Sequence, residues 1–178
     1  MNRLERRKKL RGWIYNLIII LLFTIFFREI ILIGKVDGKS MEPNFSDSNL
    51  VVIKAFNNEF NRDEVISFEY GVKQQNFLKI KQGEDYAKKN EEKVGTAHLK
   101  RIYGVPGDLI QIKKEGNTNV LIVNGIKELV FESDYSVFHD ILEENEYFVI
   151  GDNYEISFDS RLHGPISKEQ IIGSIIGT

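Results

Sequence analysis

Two residues sixty positions apart could form a nucleophile and its base. Ser40 lies in the polar segment Gly38–Pro43, and Lys100 begins the run Lys-Arg-Ile-Tyr-Gly-Val-Pro-Gly-Asp. A serine hydroxyl needs a base, and neutral lysine can serve once its pKa falls several units below about 10.4. Burial among apolar groups lowers a lysine pKa in this way. The pair is therefore a candidate dyad for acyl transfer, although each residue alone is common in turns or strands.

A third polar segment, Gly151–Arg161, contains further candidates. Asp159 and Arg161 could form an ion pair, and Ser157 could hydrogen-bond a nearby amine. The segment could equally be a polar surface loop or a divalent-cation site. The oxygen ligands of such a site would be Asp152, Asn153, Glu155 and Asp159. Because their spacing does not match a calcium-binding loop, we expect no metal and no other cofactor.

Other functional classes find little support in the residues. The three histidines, His98, His139 and His163, have no spacing typical of metal ligands. A Ser-His-Asp triad remains open, because triads are recognised by geometry and not by sequence position. The chain has no phosphate-binding loop, and its only basic cluster is at the N-terminus, so we expect no nucleic-acid partner.

The N-terminal region is typical of a membrane anchor. Residues 1–12 contain six Lys or Arg and one Glu (+5), so the rest of the chain carries −7 of the net −2. Residues 13–27 are uncharged, and a helix extended through 33 would approach the roughly 30 Å of a bilayer core. A cleavable signal is the alternative, but no small-x-small site follows. The positive flank predicts that residues 1–12 are cytoplasmic, 13–33 span the membrane and 35–178 lie outside.

The exported part, residues 35–178, is predicted to be one mainly β domain with a closed or folded-over antiparallel sheet. Alternation in residues 99–103 places Lys100 on the face of Ile102 and turns Arg101 the other way. Asn124-Gly125 predicts a two-residue hairpin. A short helix capped by Ser167, with Gln170 at the box position, should precede the last strand. The predicted strands are Asn49–Phe56, Val65–Tyr70, Phe77–Lys81, Leu99–Tyr103, Asp108–Lys113, Val120–Val123, Lys127–Phe131 and Glu146–Ile150.

Two stretches look like surface insertions. Lys81–Gly95 is mostly charged and predicts a solvated loop, and Ser133–Asn145 is acidic and predicts a second excursion. The sequence shows no repeats and no linker between domains. It does not predict an oligomeric state.

Three segments in this order resemble the bacterial type I signal peptidases. They are Ser-Met-x-Pro at 40–43, Lys-Arg-x-x-Gly-x-Pro-Gly-Asp at 100–108, and Gly-Asp-Asn…Ser-x-Asp-Ser-Arg at 151–161. The resemblance spans nearly the whole chain and includes the N-terminal anchor. It implies a membrane-bound serine endopeptidase that removes signal peptides from exported preproteins by cleaving after small residues near the outer membrane surface.

The resemblance also implies roles for particular residues. Ser40 matches the nucleophile and Lys100 the general base, where microsomal relatives have histidine. Ser157 matches a serine that orients the lysine. Gly38 stands where some relatives place a second oxyanion donor beside the Ser40 N–H.

Four further residues match supporting positions of the family. Asp159 and Arg161 match a structural ion pair near the site, and Asp152 matches a carboxylate that pairs with Arg101. The substrate is expected to lie extended along Lys35–Lys39 and His98–Leu99.

Departures from the family pattern leave an alternative open. Asn44 replaces the usual Thr, and Tyr154-Glu155-Ile156 replaces the usual Arg-x-Asn. The chain could thus be a catalytically weak or dedicated relative, acting as a processing factor or binding module for specific exported subunits. A self-cleaving Ser/Lys repressor would instead need a DNA-binding domain where this chain has its apolar segment.

Overall fold

The computed structural model describes residues 3–55, 59–132 and 138–176. A long N-terminal helix precedes a domain of short strands with a few short helices. In chain order the elements are α1 (Arg3–Ile30), β1 (Ile31–Lys35), β2 (Leu50–Lys54), β3 (Val65–Glu69), α2 (Val72–Gln82), α3 (Glu84–Lys89), a 3-10 helix (Glu91–Lys93), β4 (Ala97–Gly104), β5 (Leu109–Glu115), β6 (Thr118–Val123), β7 (Ile126–Phe131), β8 (Phe138–Ile141), β9 (Glu146–Ile150), α4 (Ser160–His163), β10 (Ile166–Ser167), a second 3-10 helix (Lys168–Gln170) and β11 (Ile171–Ile175).

The strands form two antiparallel sheets, which confirms the predicted mainly β architecture. The larger sheet has the order β1-β2-β11-β3-β4-β9-β10, and the smaller one has the order β7-β6-β5-β8. Ile110, Leu121 and Phe131 of the smaller sheet pack against Phe148 and Ile150 of β9. This shared core holds the two sheets together.

A second apolar cluster lies under the segment that follows β1. Val36 and Met41 pack there on Val51 and Ile53 of β2 and on Ile175 of β11. Alternate residues of β2 are buried, as expected when one face of a strand covers a core. The cluster fixes the floor beneath Ser40.

The N-terminal helix ends before the predicted boundary. The helix stops at Ile30, and Ile31–Lys35 form β1, so residues 31–33 are strand and not part of a helix through 33. These β-branched and neighbouring residues pair with β2, and that pairing satisfies the backbone groups that face β2. Among the described residues, no helix combines the length and apolar character needed to span a bilayer.

The predicted strand Phe77–Lys81 is wrong. These residues belong to α2, which buries Gln74 and Leu78, one helical turn apart, and leaves Ile80 exposed. The short apolar run was misleading because α2 packs through a single helical stripe on α3 and α4. The predicted loop Lys81–Gly95 is also wrong, because it contains α3 and the 3-10 helix Glu91–Lys93, with Ala87 buried.

The other local predictions have mixed outcomes. Asn124 and Gly125 have φ of 51° and 84° and connect β6 to β7, which confirms the hairpin. The capped short helix is the 3-10 helix Lys168–Gln170, where the Gln170 side chain accepts from the Ser167 N–H at 2.8 Å. The acidic stretch Ser133–Asn145 is not wholly an excursion, since β8 pairs with β5. Its residues 133–137, like residue 56 of the first predicted strand, lie outside the described residues.

Candidate active site

The segment that carries Ser40 is held from both ends. Gly38 has φ of +85°, a conformation that favours glycine, and its N–H donates to Asp47 Oδ1 at 2.9 Å. The carbonyl oxygen of Ser40 accepts from the Asn153 N–H at 3.0 Å. The first and third polar segments of the sequence are therefore joined directly at the serine.

Lys100 lies on β4 and points toward Ser40. Its side chain is on the buried face with Ile102, as strand alternation predicts, and the residue is 2% exposed. Its Nζ donates to Ser40 Oγ at 2.8 Å and to the Leu99 carbonyl oxygen at 2.7 Å. The structure thus brings together two side chains that are sixty residues apart in sequence.

The environment of Lys100 favours its neutral form. Burial lowers the pKa of Lys100 from its ordinary value to about 8. The carboxylates Asp159 and Asp152 oppose this shift, whereas Arg161 and Lys93 add to it by repulsion. A lysine with such a pKa is partly deprotonated near neutral pH, as a general base requires.

Arg101, on the opposite face of β4, contacts Asp152. Its Nε and Nη2 each donate to one oxygen of that carboxylate at 2.8 Å, and Nη1 donates to the Asp63 carbonyl at 2.7 Å. Asn44 also donates to Asp152 Oδ2 at 2.7 Å. The departure at Asn44 therefore adds a link between the serine segment and the third segment.

Asp159 and Arg161 form a wholly buried ion pair. The Arg161 Nε and Nη2 each donate to Asp159 at 2.8 Å, and neither side chain is exposed. Burial alone would raise the pKa of Asp159, but hydrogen bonds and the charge of Arg161 lower it overall. Asp159 Oδ2 also accepts from the Gly151 N–H at 3.1 Å. The pair thereby fixes the loop that faces Lys100.

Ser157 is buried in that loop, where its hydroxyl contributes to the lowered pKa of Asp159. Its Oγ lies against Gly151, where a Cβ would overlap both Ser157 and the Ser40 carbonyl. Glycine is required at 151 because of this close approach. The hydrogen bonds that Lys100 Nζ donates go to Ser40 and Leu99, so the role of Ser157 in orienting the lysine remains a prediction.

Among the described residues, no histidine forms a hydrogen bond with the Ser40 hydroxyl. Burial lowers the pKa of His98 to about 3 and of His163 to about 4, so both are neutral at pH 7. His98 pairs with Thr96 Oγ1 at 3.0 Å, and His163 with the Gly164 carbonyl at 2.9 Å. His139 contacts Gln111 on the smaller sheet. The geometry gives the triad alternative no support.

Two of the three carboxylates of the third segment are engaged by arginines of the protein. Asp152 is paired with Arg101, and Asp159 with Arg161. Across the residues that the structure describes, no three potential ligand side chains cluster as a metal site would require. The open alternative of a cation site in this loop therefore has no geometry behind it.

A groove of about 520 Å³ opens beside the Ser40–Lys100 pair. Its floor is apolar. Its walls come from the two segments predicted to hold substrate and from a third segment, around Glu92, that was not predicted to contact substrate. The lining includes Gly34–Asp37 and Met41 on one side, and Glu92, Lys93 and Thr96–Leu99 on the other. Sequence reasoning missed Glu92 and Lys93 because a run of charged residues is typical of a solvated surface.

Tyr154, another departure from the family pattern, has a partner in the fold. Its hydroxyl lies 3.2 Å from the hydroxyl of Tyr103, and its carbonyl accepts from Arg161 Nη2 at 2.8 Å. Its ring packs against the core shared by the two sheets. Nothing in the sequence alone links Tyr103 with Tyr154, because the contact depends on how β4 meets the third segment.

Comparison with known proteins places the chain in a family. The family described as signal peptidase, peptidase S26, matches residues 10–177, and the chain belongs to it. It is accordingly a serine endopeptidase of the signal peptidase I class, acting in signal peptide removal.

Individual relatives have modest identity but long coverage. The chain is 25% identical to signal peptidase IB of Staphylococcus aureus (strain Mu50) over 198 residues, covering 95% of this chain and 88% of the relative. It is 28% identical to signal peptidase I V of Bacillus subtilis (strain 168) over 190 residues, covering 94% and 97%. A crystal structure of a signal peptidase I from Enterococcus faecalis matches with a TM-score of 0.41 and 20% identity, covering 66% of this chain and 97% of that one.

Proposed function

We propose that this chain is a membrane-bound endopeptidase that removes signal peptides from exported preproteins, with Ser40 as nucleophile and Lys100 as general base. The observation that carries the proposal is the hydrogen bond of 2.8 Å between Lys100 Nζ and Ser40 Oγ, made by a lysine that is 2% exposed. A buried amine at this distance can take the hydroxyl proton without a further group. Asp152, Arg101, Asp159 and Arg161 support the dyad by fixing the segments around it.

The chemistry follows from these two side chains. Neutral Lys100 removes the Ser40 proton as Oγ bonds to the scissile carbonyl carbon, and the carbonyl oxygen becomes an anion. When the C–N bond breaks, the ammonium of Lys100 returns that proton to the leaving amine. Water then attacks the ester with Lys100 again as base, which releases the acid and restores the serine. The Ser40 N–H is proposed to bind the oxyanion; Gly38 contributes no side-chain donor.

The substrate is proposed to bind as an extended strand between two free strand edges. Val36 exchanges both backbone hydrogen bonds with residues 48 and 49, so the backbone groups of Lys35 face the other way. β4 pairs with β3 along Ala97–Arg101, whereas β9 pairs with it only from Arg101 onward. A peptide between these edges could hydrogen-bond both, in the manner of strand addition.

The apolar floor supports cleavage after small residues. Side chains at alternate positions of an extended peptide face the same way, so those at −1 and −3 would face the floor together. Val36, Met41 and Ile53 fill that floor and leave room for short apolar side chains. The preference for small residues is thus proposed to be one of fit.

No described helix meets the length and apolar character of a bilayer-spanning helix, but the apolar segment of α1 is proposed to anchor the chain, with the catalytic domain outside a bacterial cytoplasmic membrane. Its described side chains from Trp13 to Phe23 are apolar apart from Asn16, and the large ones are exposed. The basic residues before them predict a cytoplasmic N-terminus. Ser40 follows the helix end by ten residues, which limits its distance from that end to about 35 Å. Only bonds emerging near the lipid would reach it.

The test compares purified full-length protein in detergent with its Ser40→Ala and Lys100→Ala variants on a preprotein substrate. We expect both variants to lose cleavage by at least about a hundredfold, because each removes one half of the proton transfer. Ser46→Ala and Lys113→Ala, which change exposed residues of the same types, should cleave normally. Cleavage that persists in either dyad variant would refute the assignment. Preprotein binding without cleavage by the wild type would favour the binding-module alternative.

A further inference from the structure

The helical segment between β3 and β4 reaches the active-site groove at its last turn. The 3-10 helix Glu91–Lys93 places Glu92 and Lys93 in the groove wall, across from Lys35 and Asp37. Lys93 is only partly exposed, although its neighbours Lys88 and Lys89 on α3 are exposed. This one lysine of the charged run therefore turns toward the site.

Lys93 contacts the loop that carries the supporting residues. Its Nζ lies 5.3 Å from the centroid of the Phe158 ring, within the range of a cation–π interaction. Phe158 stands between Ser157 and Asp159 in sequence. Its ring also packs on Tyr70 and His163, at centroid distances of 5.3 Å each. Fixing this ring fixes the backbone that positions both neighbours.

The charges facing Lys100 come from several elements. Asp152 and Asp159 belong to the third segment, Arg161 to α4, and Lys93 to the 3-10 helix. His98 on β4 and His163 on α4 are neutral at pH 7 because burial lowers the pKa of each. Asp152 and Asp159 are each paired with an arginine. The described partner of Lys93 is instead the face of the Phe158 ring.

We propose that Lys93 is a positioning residue, which holds the Ser157–Asp159 loop through its ammonium on the Phe158 ring and places a fixed positive charge in the groove that Lys100 also lines. The inference rests on the proposed function of the dyad. It assigns to the helical segment a role in catalysis, beyond forming a groove wall. Because the charge of Lys93 acts on Lys100, the pH dependence of kcat should change when Lys93 is replaced. A purely structural contact would leave that pH dependence unchanged.

The experiment uses the full-length protein in detergent with Lys93→Met, Lys93→Gln and Lys93→Arg. The two neutral variants should shift the acidic limb of the kcat profile upward by about half a pH unit, which lowers kcat at pH 7 roughly threefold. KM should change less than twofold, and the difference in rate should be smallest at high pH, where Lys100 is neutral in every variant; the difference that remains there reports the loosened loop. Lys93→Arg keeps a cation over the ring and should keep the wild-type profile. Lys89→Met is the matched control and should change nothing.

A second measurement does not depend on cleavage. The 13Cε resonance of Lys100, assigned with Lys100→Arg in lysine-labelled protein, reports its titration directly. We expect Lys93→Met to move that titration to higher pH by the same half unit. If the Ser40→Ala variant still cleaved the preprotein, the proposed function would fail. The titration of Lys100 would still test the role of Lys93 in that case.

Three results would overturn the proposal. They are a Lys93→Met profile that superimposes on the wild type, a loss in Lys93→Arg equal to that in Lys93→Met, and a rise in KM with kcat unchanged. A rise in KM with kcat unchanged would show that Lys93 contacts substrate as part of the groove wall and does not position the loop.

Discussion

The two sheets of this protein bury very different groups. The core of the smaller sheet is apolar, with Ile110, Ile112 and Leu121 completely buried. Around the dyad, the region of the larger sheet buries Lys100, His163 and the Asp159–Arg161 pair. Apolar burial stabilises a fold, whereas a buried cation opposes folding unless it is compensated. We therefore expect the smaller sheet to contribute stability that offsets the cost of the buried polar groups around the proposed dyad.

The sharpest test of this contrast is Lys100→Met. Cleavage should fall by about 10²–10⁴-fold because the base is lost. The free energy of unfolding should nevertheless rise by roughly 1–3 kcal/mol at pH 7, since the buried ammonium is replaced by an apolar chain of similar length. Denaturant unfolding of the full-length protein in detergent measures the second effect. Lys113→Met on exposed β5 is the control, and a destabilised Lys100→Met would contradict the expectation.

Asp159→Asn should have the largest effect on stability. It leaves the guanidinium of Arg161 buried without its counter-charge, and we expect a loss of about 3–5 kcal/mol in unfolding free energy. Glu115→Gln, which breaks the exposed pair with Lys127, should change it by less than about 1 kcal/mol. If the two substitutions lowered the unfolding free energy equally, the buried Asp159–Arg161 pair would contribute no more to stability than the exposed Glu115–Lys127 pair.

Leu121→Ala tests the smaller sheet directly. The side chain is completely buried, and its truncation should cost about 2–4 kcal/mol. Activity per folded molecule should be retained at temperatures where the variant stays folded, because the groove contains no residue of β6. Loss of kcat without loss of stability would contradict the separation between the two regions.

The pH dependence of cleavage should follow Lys100. Its pKa in the folded protein is about 8, below the ordinary value, so the neutral base is scarce under acidic conditions. The rate should rise about tenfold per pH unit below that value and level off above it. The free energy of unfolding should change with pH in the same direction. Between about pH 8 and 10.5 the unfolded chain binds the proton of Lys100 more tightly than the folded protein does, so stability rises with pH in that range. A flat kcat profile from pH 6 to 9 would refute the assignment.

Gly125→Ala should give the smallest effect. Gly125 has φ of +84° in the β6–β7 hairpin, and a Cβ there meets strain but no neighbouring atom. We expect a loss of about 1 kcal/mol in unfolding free energy and unchanged cleavage. A change in kcat would indicate that the hairpin communicates with the dyad.

Local patterns in the sequence were sufficient for much of the fold. Asn124-Gly125, the alternation around Lys100 and the capping residues Ser167 and Gln170 act over a few residues, and each was read correctly. The strand predicted at Phe77–Lys81 was wrong for a reason that is also local. A short apolar run such as Phe-Leu-Lys-Ile-Lys fits a turn of helix as well as a strand, and the packing of Leu78 decided between them.

By itself the sequence determined which groups could react and the order in which they occur along the chain. It also determined the antiparallel β class, because strand periodicity and turn residues are short-range properties. Only the tertiary structure decided that Lys100 lies 2.8 Å from Ser40, that Asn44 reaches Asp152, and that Lys93 faces the groove. These facts depend on contacts between distant segments and on exclusion of water, and neither is encoded in local spacing.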